Sequence, residues 1–328
     1  MKVLVTGGAG YVGSICAQQL ILAGHKVVIL DDLSTGHRGA LPKRAKFVLG
    51  DFADNRKIRK IAEGLGIEAV MHFGGATLVE KSMTDPHYYF KSNVQKGIQL
   101  LETLLDLGVK NFIFSSSAAV YGEPVSVPIT ETHPTQPINP YGESKLMFER
   151  ILESHSRAYG LHYIALRYFN AAGATPAYGE DHRPETHLIP RLLDAARNSK
   201  HPFEVYGTDY PTPDGTCIRD FVHVLDIAQA HLLAMQALPK VQSAIYNIGH
   251  GKGHSIRAVL RAVKAVTGRP IQIKYGPRRP GDPAVLVASP RKIQQELKWK
   301  PRYSDLRTIV RSAWHWKQRH PSGYHQHG

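Results

Sequence analysis

The chain opens on a short apolar run, Lys2-Val3-Leu4-Val5-Thr6, which ends in glycines and leads into a helical stretch at 11–23. The alternation repeats through the first half. Runs dense in Val, Ile, Leu and Phe fall at 27–30, 47–49, 69–73, 111–115 and 163–167, and helical periods at 55–63, 88–107 and 141–159. Runs that are apolar at nearly every position suit strands buried on both faces. Strands alternating with helices across short links predict an α/β fold, a doubly wound parallel sheet.

The second half has a different texture. Residues 170–185 are rich in Gly, Pro and Ala and predict a loop, and 209–215 is rich in turn formers. Helices are expected at 187–198, 225–238, 255–267 and 306–316, with Ser255 as an N-cap, and strands at 244–248 and 271–275. No internal repeat interrupts the pattern.

Composition narrows the class. Of the 328 residues, 42% are hydrophobic and 21% charged, which excludes wholesale disorder. The only cysteines, Cys16 and Cys217, exclude a disulfide scaffold and a zinc site built on cysteine pairs, and they fit a cytoplasmic protein. The amino terminus lacks the apolar core of a signal peptide, and no stretch of about 18 apolar residues predicts a membrane span. The formal net charge of +14 raises the question of nucleic acid, but the basic residues are dispersed. The densest groups, Arg56, Lys57, Arg59 and Lys60 and the pair Arg278-Arg279, are too short for a binding arm. A basic surface that draws anionic small ligands is expected, with no nucleic-acid or membrane partner.

The first turn carries the first chemical signal. Glycines at 8, 10 and 13, and equally at 7, 10 and 13, sit between a strand and a helix. Glycine permits a tight turn and a close backbone approach to a pyrophosphate, and the helix N-terminus adds partial positive charge. Asp31 ends the second strand at the position where an acid accepts hydrogen bonds from a ribose and repels a 2′-phosphate, which points to NAD over NADP. Asp32 beside it reads as a turn residue or a secondary contact. The change of character near 170 then divides the chain into a dinucleotide-binding Rossmann domain, 1–169, and a smaller C-terminal α/β substrate domain, 170–328, whose segments can interleave.

The second signal is Tyr141 and Lys145, four apart on a predicted helix and so on one face. An ammonium beside a phenol lowers the phenol's pKa and makes it a base for a sugar hydroxyl. Ser115-Ser116-Ser117 ends a strand, where open α/β sheets place their ligands.

With these motifs the chain resembles the extended short-chain dehydrogenase/reductases, and within them the UDP-glucose 4-epimerase family. The resemblance runs nearly end to end. It is carried by Phe114-Ser115-Ser116-Ser117-Ala118-Ala119-Val120-Tyr121-Gly122, Pro140-Tyr141-Gly142, Leu166-Arg167-Tyr168-Phe169-Asn170, Asp209-Tyr210-Pro211-Thr212 and Arg219-Asp220. It implies that Tyr141 is the acid/base, Lys145 its electrostatic partner and Ser117 the residue that binds the reacting hydroxyl. It implies an NAD site formed by Gly7, Gly10, Tyr11, Val12 and Gly13, by Asp31, Asp32, Asp51 and Phe52, by Phe73, Gly74, Gly75 and Asn93, and by Ser115, Tyr141, Lys145 and Tyr168. Asn170, Leu188, Val205, Tyr206, Arg219, Arg279, Asp282 and Leu286 are implied to hold a UDP-sugar. Two arginines suit a diphosphate, because guanidinium offers forked donors to phosphate oxygens. C4 epimerisation with retained NAD, and a homodimer pairing the helices at 88–107 and 141–159, complete what the resemblance implies.

This sequence departs from the family at two places. His187 stands where relatives often carry Asn, and a lysine that some relatives carry after the fourth strand is absent from Phe73-Gly74-Gly75-Ala76-Thr77. A 4,6-dehydratase needs carboxylates beside the catalytic hydroxyl, and Ala118 and Ala119 stand there instead. A decarboxylase on the same scaffold, or an NAD-sensing protein without catalysis, is the remaining alternative, although such sensors usually lose the Tyr/Lys pair. Leu286 falls where a tyrosine would exclude N-acetylated sugars, which raises UDP-N-acetylglucosamine as a second substrate. His250 and His254 have a metal-like spacing but lie in a glycine-rich turn, and no metal is expected.

Overall fold

The computed structural model describes residues 1–198, 202–279 and 282–324. The first-half strands are β1 (Lys2–Thr6), β2 (Lys26–Asp31), β3 (Lys46–Leu49), β4 (Ala69–His72), β5 (Asn111–Ser117) and β6 (His162–Tyr168). The later strands are β7 (Asn170–Ala172), β8 (Phe203–Tyr206), β9 (Ile218–His223), β10 (Ser243–Ile248), β11 (Gly253–Ser255), β12 (Ile273–Gly276) and β13 (Val285–Leu286). Among the described residues the large sheet has seven strands in the order β3-β2-β1-β4-β5-β6-β10. All its pairs are parallel. The strand order reverses beside β1, which opens a crevice at the carboxyl ends of β1 and β4.

Helices cover both faces. The helices are α1 (Tyr11–Leu22), α2 (Asn55–Leu65), α3 (Val79–Thr84), α4 (Pro86–Phe90), α5 (Lys96–Asp106), α6 (Pro140–Tyr159), α7 (Leu188–Arg197), α8 (Val224–Ala237), α9 (Ile256–Thr267), α10 (Arg291–Glu296) and α11 (Leu306–Arg319). On one face Ala17, Leu20 and Ile21 of α1 meet Ile227, Ala230 and Ala234 of α8 over Val3, Val5 and Ile29. On the other, Ile58 of α2, Leu101 of α5 and Phe148 of α6 pack over Leu4, Val70 and Phe112. A separate core joins α7, α9 and α11 through Leu192, Val259 and Val310.

Residues 244–248, read from the sequence within the second unit, are the edge of the large sheet, paired with β6. The helix after β9 also packs on α1, so the two units interleave. The smaller unit holds β9, flanked by β11 and β13 and joined by β7, together with the pair β8 and β12. Residues 170–172, expected as loop, form β7 because their backbone pairs with Phe221–His223 of β9. The expected helix at 88–107 is broken: α4 gives way to a wide π turn at Lys91–Gln95 before α5 begins. A π turn inserts a residue and re-aims a side chain, and here that residue is Asn93.

Local signals place the site-bearing elements. Asn139 caps α6 by accepting from the Gly142 N–H at 2.8 Å, with Pro140 at the first helical position. Gly160 ends that helix in the left-handed region at φ 68°. Ser255 caps α9 through the Ala258 N–H.

Candidate active site

The glycine turn shows three different demands. Gly7 has φ +69°, and a Cβ there would lie 2.5 Å from the Gly74 nitrogen. A Cβ on Gly13 would lie 2.3 Å from the Gly7 carbonyl oxygen. A Cβ on Gly10 would meet nothing closer than 3.4 Å. Gly7 and Gly13 are therefore glycine because backbone crowds them, while Gly10 faces open space above the turn. Gly10 is the N-cap of α1 and no side chain caps that end. Backbone N–H groups and the helix dipole are thus presented to an anion, with Tyr11 and Val12 opening the helix.

Asp31 is buried at the end of β2. Its carboxylate accepts from the Ala9 N–H at 2.9 Å and the Leu33 N–H at 2.8 Å. Burial nevertheless raises its pKa above the ordinary carboxylate value. A hydroxyl pair offered to this carboxylate replaces lost solvent. Asp32 instead accepts from the Ser34 N–H and hydroxyl, closing a local turn. Asp51 is ion-paired to Lys96, and Phe52 lies edge-on to His72 at 4.9 Å. Phe73 stacks on His231 at 4.8 Å.

Asn93 is buried, and its amide is fully engaged. It accepts from the Ala76 N–H at 2.7 Å and donates to the Ala76 carbonyl at 3.0 Å and to Ser144 Oγ at 2.9 Å. The residue expected to line the cofactor thus also ties the Gly74-Gly75 turn to α6. A Cβ on Gly75 would lie 2.6 Å from the Asn93 carbonyl oxygen.

At the carboxyl ends of β5 and β6 the hydroxyls converge. Ser117 Oγ accepts from the Ala119 N–H at 3.1 Å, and its hydroxyl is hydrogen bonded to Tyr141, which holds that phenol's pKa down. Burial has the larger effect, and the Tyr141 pKa stands above the ordinary phenol value. The Lys145 ammonium, expected from the sequence to favour the phenolate, lies 5.8 Å from the centre of the Tyr141 ring. Lys145 is itself buried and donates to the Ser115 carbonyl at 2.8 Å. Burial lowers its pKa to about 8, against the pull of Glu149 one turn further on. Tyr168 Oη lies 2.5 Å from His231 Nε2.

Two functional side chains escaped the sequence reading. Glu149 accepts from Ser116 Oγ at 2.5 Å and from Arg167 Nε and Nη2 at 2.9 and 2.6 Å. Arg167 continues to Tyr121 Oη at 2.9 Å, and that hydroxyl donates to Asn247 at 2.7 Å. This buried chain of bonds ties α6 to the strands beneath the catalytic residues. Its signal was present: Glu149 repeats the four-residue step from Lys145, and Arg167 is a lone cation in an apolar strand.

In the smaller unit Arg219 is ion-paired to Asp282, and its Nη1 donates to the Ile218 carbonyl at 2.8 Å. Leu286 lies in register with Arg219 across β13 and β9, and packs against the cluster of Ala118, Val120, Leu146 and Phe169. The Arg279 guanidinium stands over the Tyr206 ring at 4.0 Å. Asn170 is exposed, Leu188 begins α7, and the Val205 side chain is in the core, so Val205 has only backbone to offer a ligand. The two units meet where Tyr11 Oη donates to the Gly173 carbonyl at 2.6 Å. His250 lies 3.2 Å from Asp226, a carboxylate distant in sequence that also accepts from the Arg302 and Tyr303 N–H groups.

Comparison with known proteins agrees with this geometry. Residues 3–249 match the NAD dependent epimerase/dehydratase family. The chain is 47% identical over 327 residues to the UDP-glucose 4-epimerase of Lacticaseibacillus casei, covering 99% of each. A crystal structure of a UDP-glucose 4-epimerase superposes with a TM-score of 0.96 at 46% identity, covering 99% of this chain and 100% of that one. The Brucella ovis UDP-glucose 4-epimerase in complex with NAD superposes with a TM-score of 0.93 at 44% identity, covering 96% and 98%. The glycine turn, the Ser117/Tyr141/Lys145 group and the full-length match lead to one conclusion: the chain belongs to the NAD dependent epimerase/dehydratase family.

Proposed function

We propose that this chain interconverts UDP-galactose and UDP-glucose by inverting C4, with NAD retained through the cycle. The observation that carries the reading is the meeting of Ser117, Tyr141 and Lys145 at the carboxyl edge of the sheet, beside a glycine turn open at Gly10. The residues fit the cofactor. Gly10 leaves room at an uncapped helix end for a pyrophosphate, and Asp31 ends β2 where a ribose is held. The chemistry NAD supplies when bound is reversible hydride acceptance.

The chain's own residues do the rest. Ser117 holds the sugar O4 and Tyr141 takes its proton. Lys145, fixed by the Ser115 carbonyl, supplies the positive charge that steadies the phenolate. Arg219, oriented by Asp282, and Arg279, stacked on Tyr206, hold the diphosphate while the 4-keto sugar turns over. Tyr141 then returns the proton to O4 of the turned sugar, whose opposite C4 face now meets the cofactor, so that C4 is inverted. Purified protein given UDP-galactose without added NAD is expected to form UDP-glucose, followed by NMR. Tyr141→Phe is expected to abolish turnover and keep bound NAD, and full activity in that variant overturns the assignment.

A second substrate class is favoured by Leu286. It stands in register with Arg219 and is shorter than a tyrosine, which leaves room at the sugar C2 substituent. Leu286→Tyr is expected to cut UDP-N-acetylglucosamine turnover relative to UDP-glucose, and an unchanged ratio refutes this reading. We further propose a cytoplasmic homodimer. Among the described residues no helix is long and apolar enough to cross a membrane. Met83, Tyr88 and Met147 are exposed on α3, α4 and α6, which pack together. Sedimentation equilibrium at twice the monomer mass supports the dimer, and a single-chain mass refutes it.

A further inference from the structure

We propose that Glu180, His182, Glu185 and His187 form a site for a zinc-class divalent cation, outside the catalytic group, at the amino end of α7. One donor atom from each of the four side chains lies within 4.8 Å of the others. His187 Nδ1 is 2.8 Å from Glu180 Oε1 and 2.9 Å from Glu185 Oε1. His182 Nδ1 is 3.2 Å from Glu180 Oε1 and 3.9 Å from Glu185 Oε2. A tetrahedral ion with bonds of about 2.0–2.1 Å sets its ligand atoms about 3.3 Å apart, and the observed separations bracket that value. Small side-chain shifts are enough to admit the ion.

A second observation points the same way. His182 Nδ1 is buried and lies 3.2 Å from Glu180 Oε1 without making a well-aligned hydrogen bond. A poorly paired imidazole nitrogen aimed into a pair of carboxylates is a ligand position. Glu180 is itself buried, and the His187 imidazole stands against it and Glu185 as their counter-charge, the role a divalent ion takes when His187 turns ligand. The donor set of two imidazoles and two carboxylates selects zinc-class ions over magnesium or calcium, which take oxygen ligands throughout.

The segment that carries the ligands is fixed on several sides. A Cβ on Gly179 would lie 2.2 Å from the Trp316 ring, and the Gly179 N–H donates to Tyr324 Oη at 2.9 Å. Asp181 accepts from the Tyr324 N–H at 2.9 Å, and its carbonyl lies 2.7 Å from His37 Nε2. The Tyr11 ring meets His182 edge-on at 6.5 Å. An ion held here clamps the 180–187 segment between the dinucleotide turn and α7.

The test titrates Zn²⁺ alone into chelator-treated full-length protein by calorimetry, with Co²⁺ absorption as a second readout. Binding of one equivalent with micromolar or tighter affinity, and an intense visible Co²⁺ spectrum of tetrahedral type, are expected. His182→Gln and Glu185→Gln are each expected to weaken binding at least about tenfold while the variant stays folded by circular dichroism. No saturable binding, a weak octahedral Co²⁺ spectrum, or unchanged affinity in both folded variants overturns the proposal.

Discussion

Glu149 offers the sharpest test of how α6, the helix that carries Tyr141 and Lys145, is held. Its carboxylate and the Arg167 guanidinium are both buried, joined by two hydrogen bonds of 2.9 and 2.6 Å, and Ser116 adds a third at 2.5 Å. Glu149→Met leaves a buried cation without a counter-charge, a cost of about 3–5 kcal/mol. Arg167→Met leaves a buried carboxylate and costs a similar amount. The double variant replaces the pair with apolar side chains of similar length and is expected to fall within about 2 kcal/mol of the parent, because desolvation offsets most of the attraction in a buried pair. In that variant Tyr121 Oη keeps Asn247 as a partner, and the buried Ser116 hydroxyl, which loses its Glu149 acceptor, accounts for part of the remaining cost. Urea unfolding followed by near-ultraviolet circular dichroism reads the three values in a double-mutant cycle. Single variants costing under about 1 kcal/mol, or a double variant costing the sum of the singles, refute the reasoning. The Glu149 charge also raises the Lys145 pKa. Glu149→Met is therefore expected to move the alkaline loss of turnover to lower pH.

Two further predictions follow from geometry and titration. Gly13→Ala drives a methyl to 2.3 Å from a backbone oxygen and is expected to lose both stability and NAD, whereas Gly10→Ala meets nothing inside 3.4 Å and is expected to keep the fold but shed NAD, read by melting temperature and by cofactor released on denaturation. A melting temperature lowered equally in the two variants, or full NAD retention by Gly10→Ala, refutes the division of roles. Burial lowers His72 and His231 to about 3 and His223 to about 4. The unfolded chain, with histidines near 6.5, binds more protons below that pH, so stability is full above about 6.5 and falls as the solution is acidified. The loss at pH 5 is on the order of 2 kcal/mol per histidine. A urea midpoint unchanged between pH 7.5 and pH 5 contradicts this.

The large sheet was legible because its strands are apolar on both faces, a pattern few other elements share. The glycine turn, Asp31, and the Tyr141/Lys145 step were legible because local sequence alone dictates their geometry. The elements that escaped depend on distant partners. β7 is only Asn-Ala-Ala and exists because β9 lies beside it. The π turn at 91–95 is fixed by what Asn93 reaches, Ala76 and Ser144, and helical period carries no trace of those partners. The burial that raises the Tyr141 pKa was not legible either, because spacing shows which side chains share a face and not how deeply they are covered. The grouping of Glu180, His182, Glu185 and His187 was not legible because their irregular spacing brings them together only through the fold of the 180–187 segment.

The position of β10 has a consequence for how the molecule comes into being. The sheet that carries the cofactor turn is closed at one edge by residues 243–248, and α1 is roofed by α8, so that sheet and its cover are incomplete while only residues 1–169 exist. A nascent chain halted there offers β6 as an open edge and leaves Ile15 and Cys16 without their cover from Val224 and Ala228. By the time that cover is synthesised, β7, β8 and β9, the first strands of the smaller unit, have already been made. The large sheet is therefore completed only after the smaller unit has begun, and Arg279, Asp282 and Leu286 follow later still. The interleaving keeps residues 1–169 from closing the dinucleotide sheet on their own.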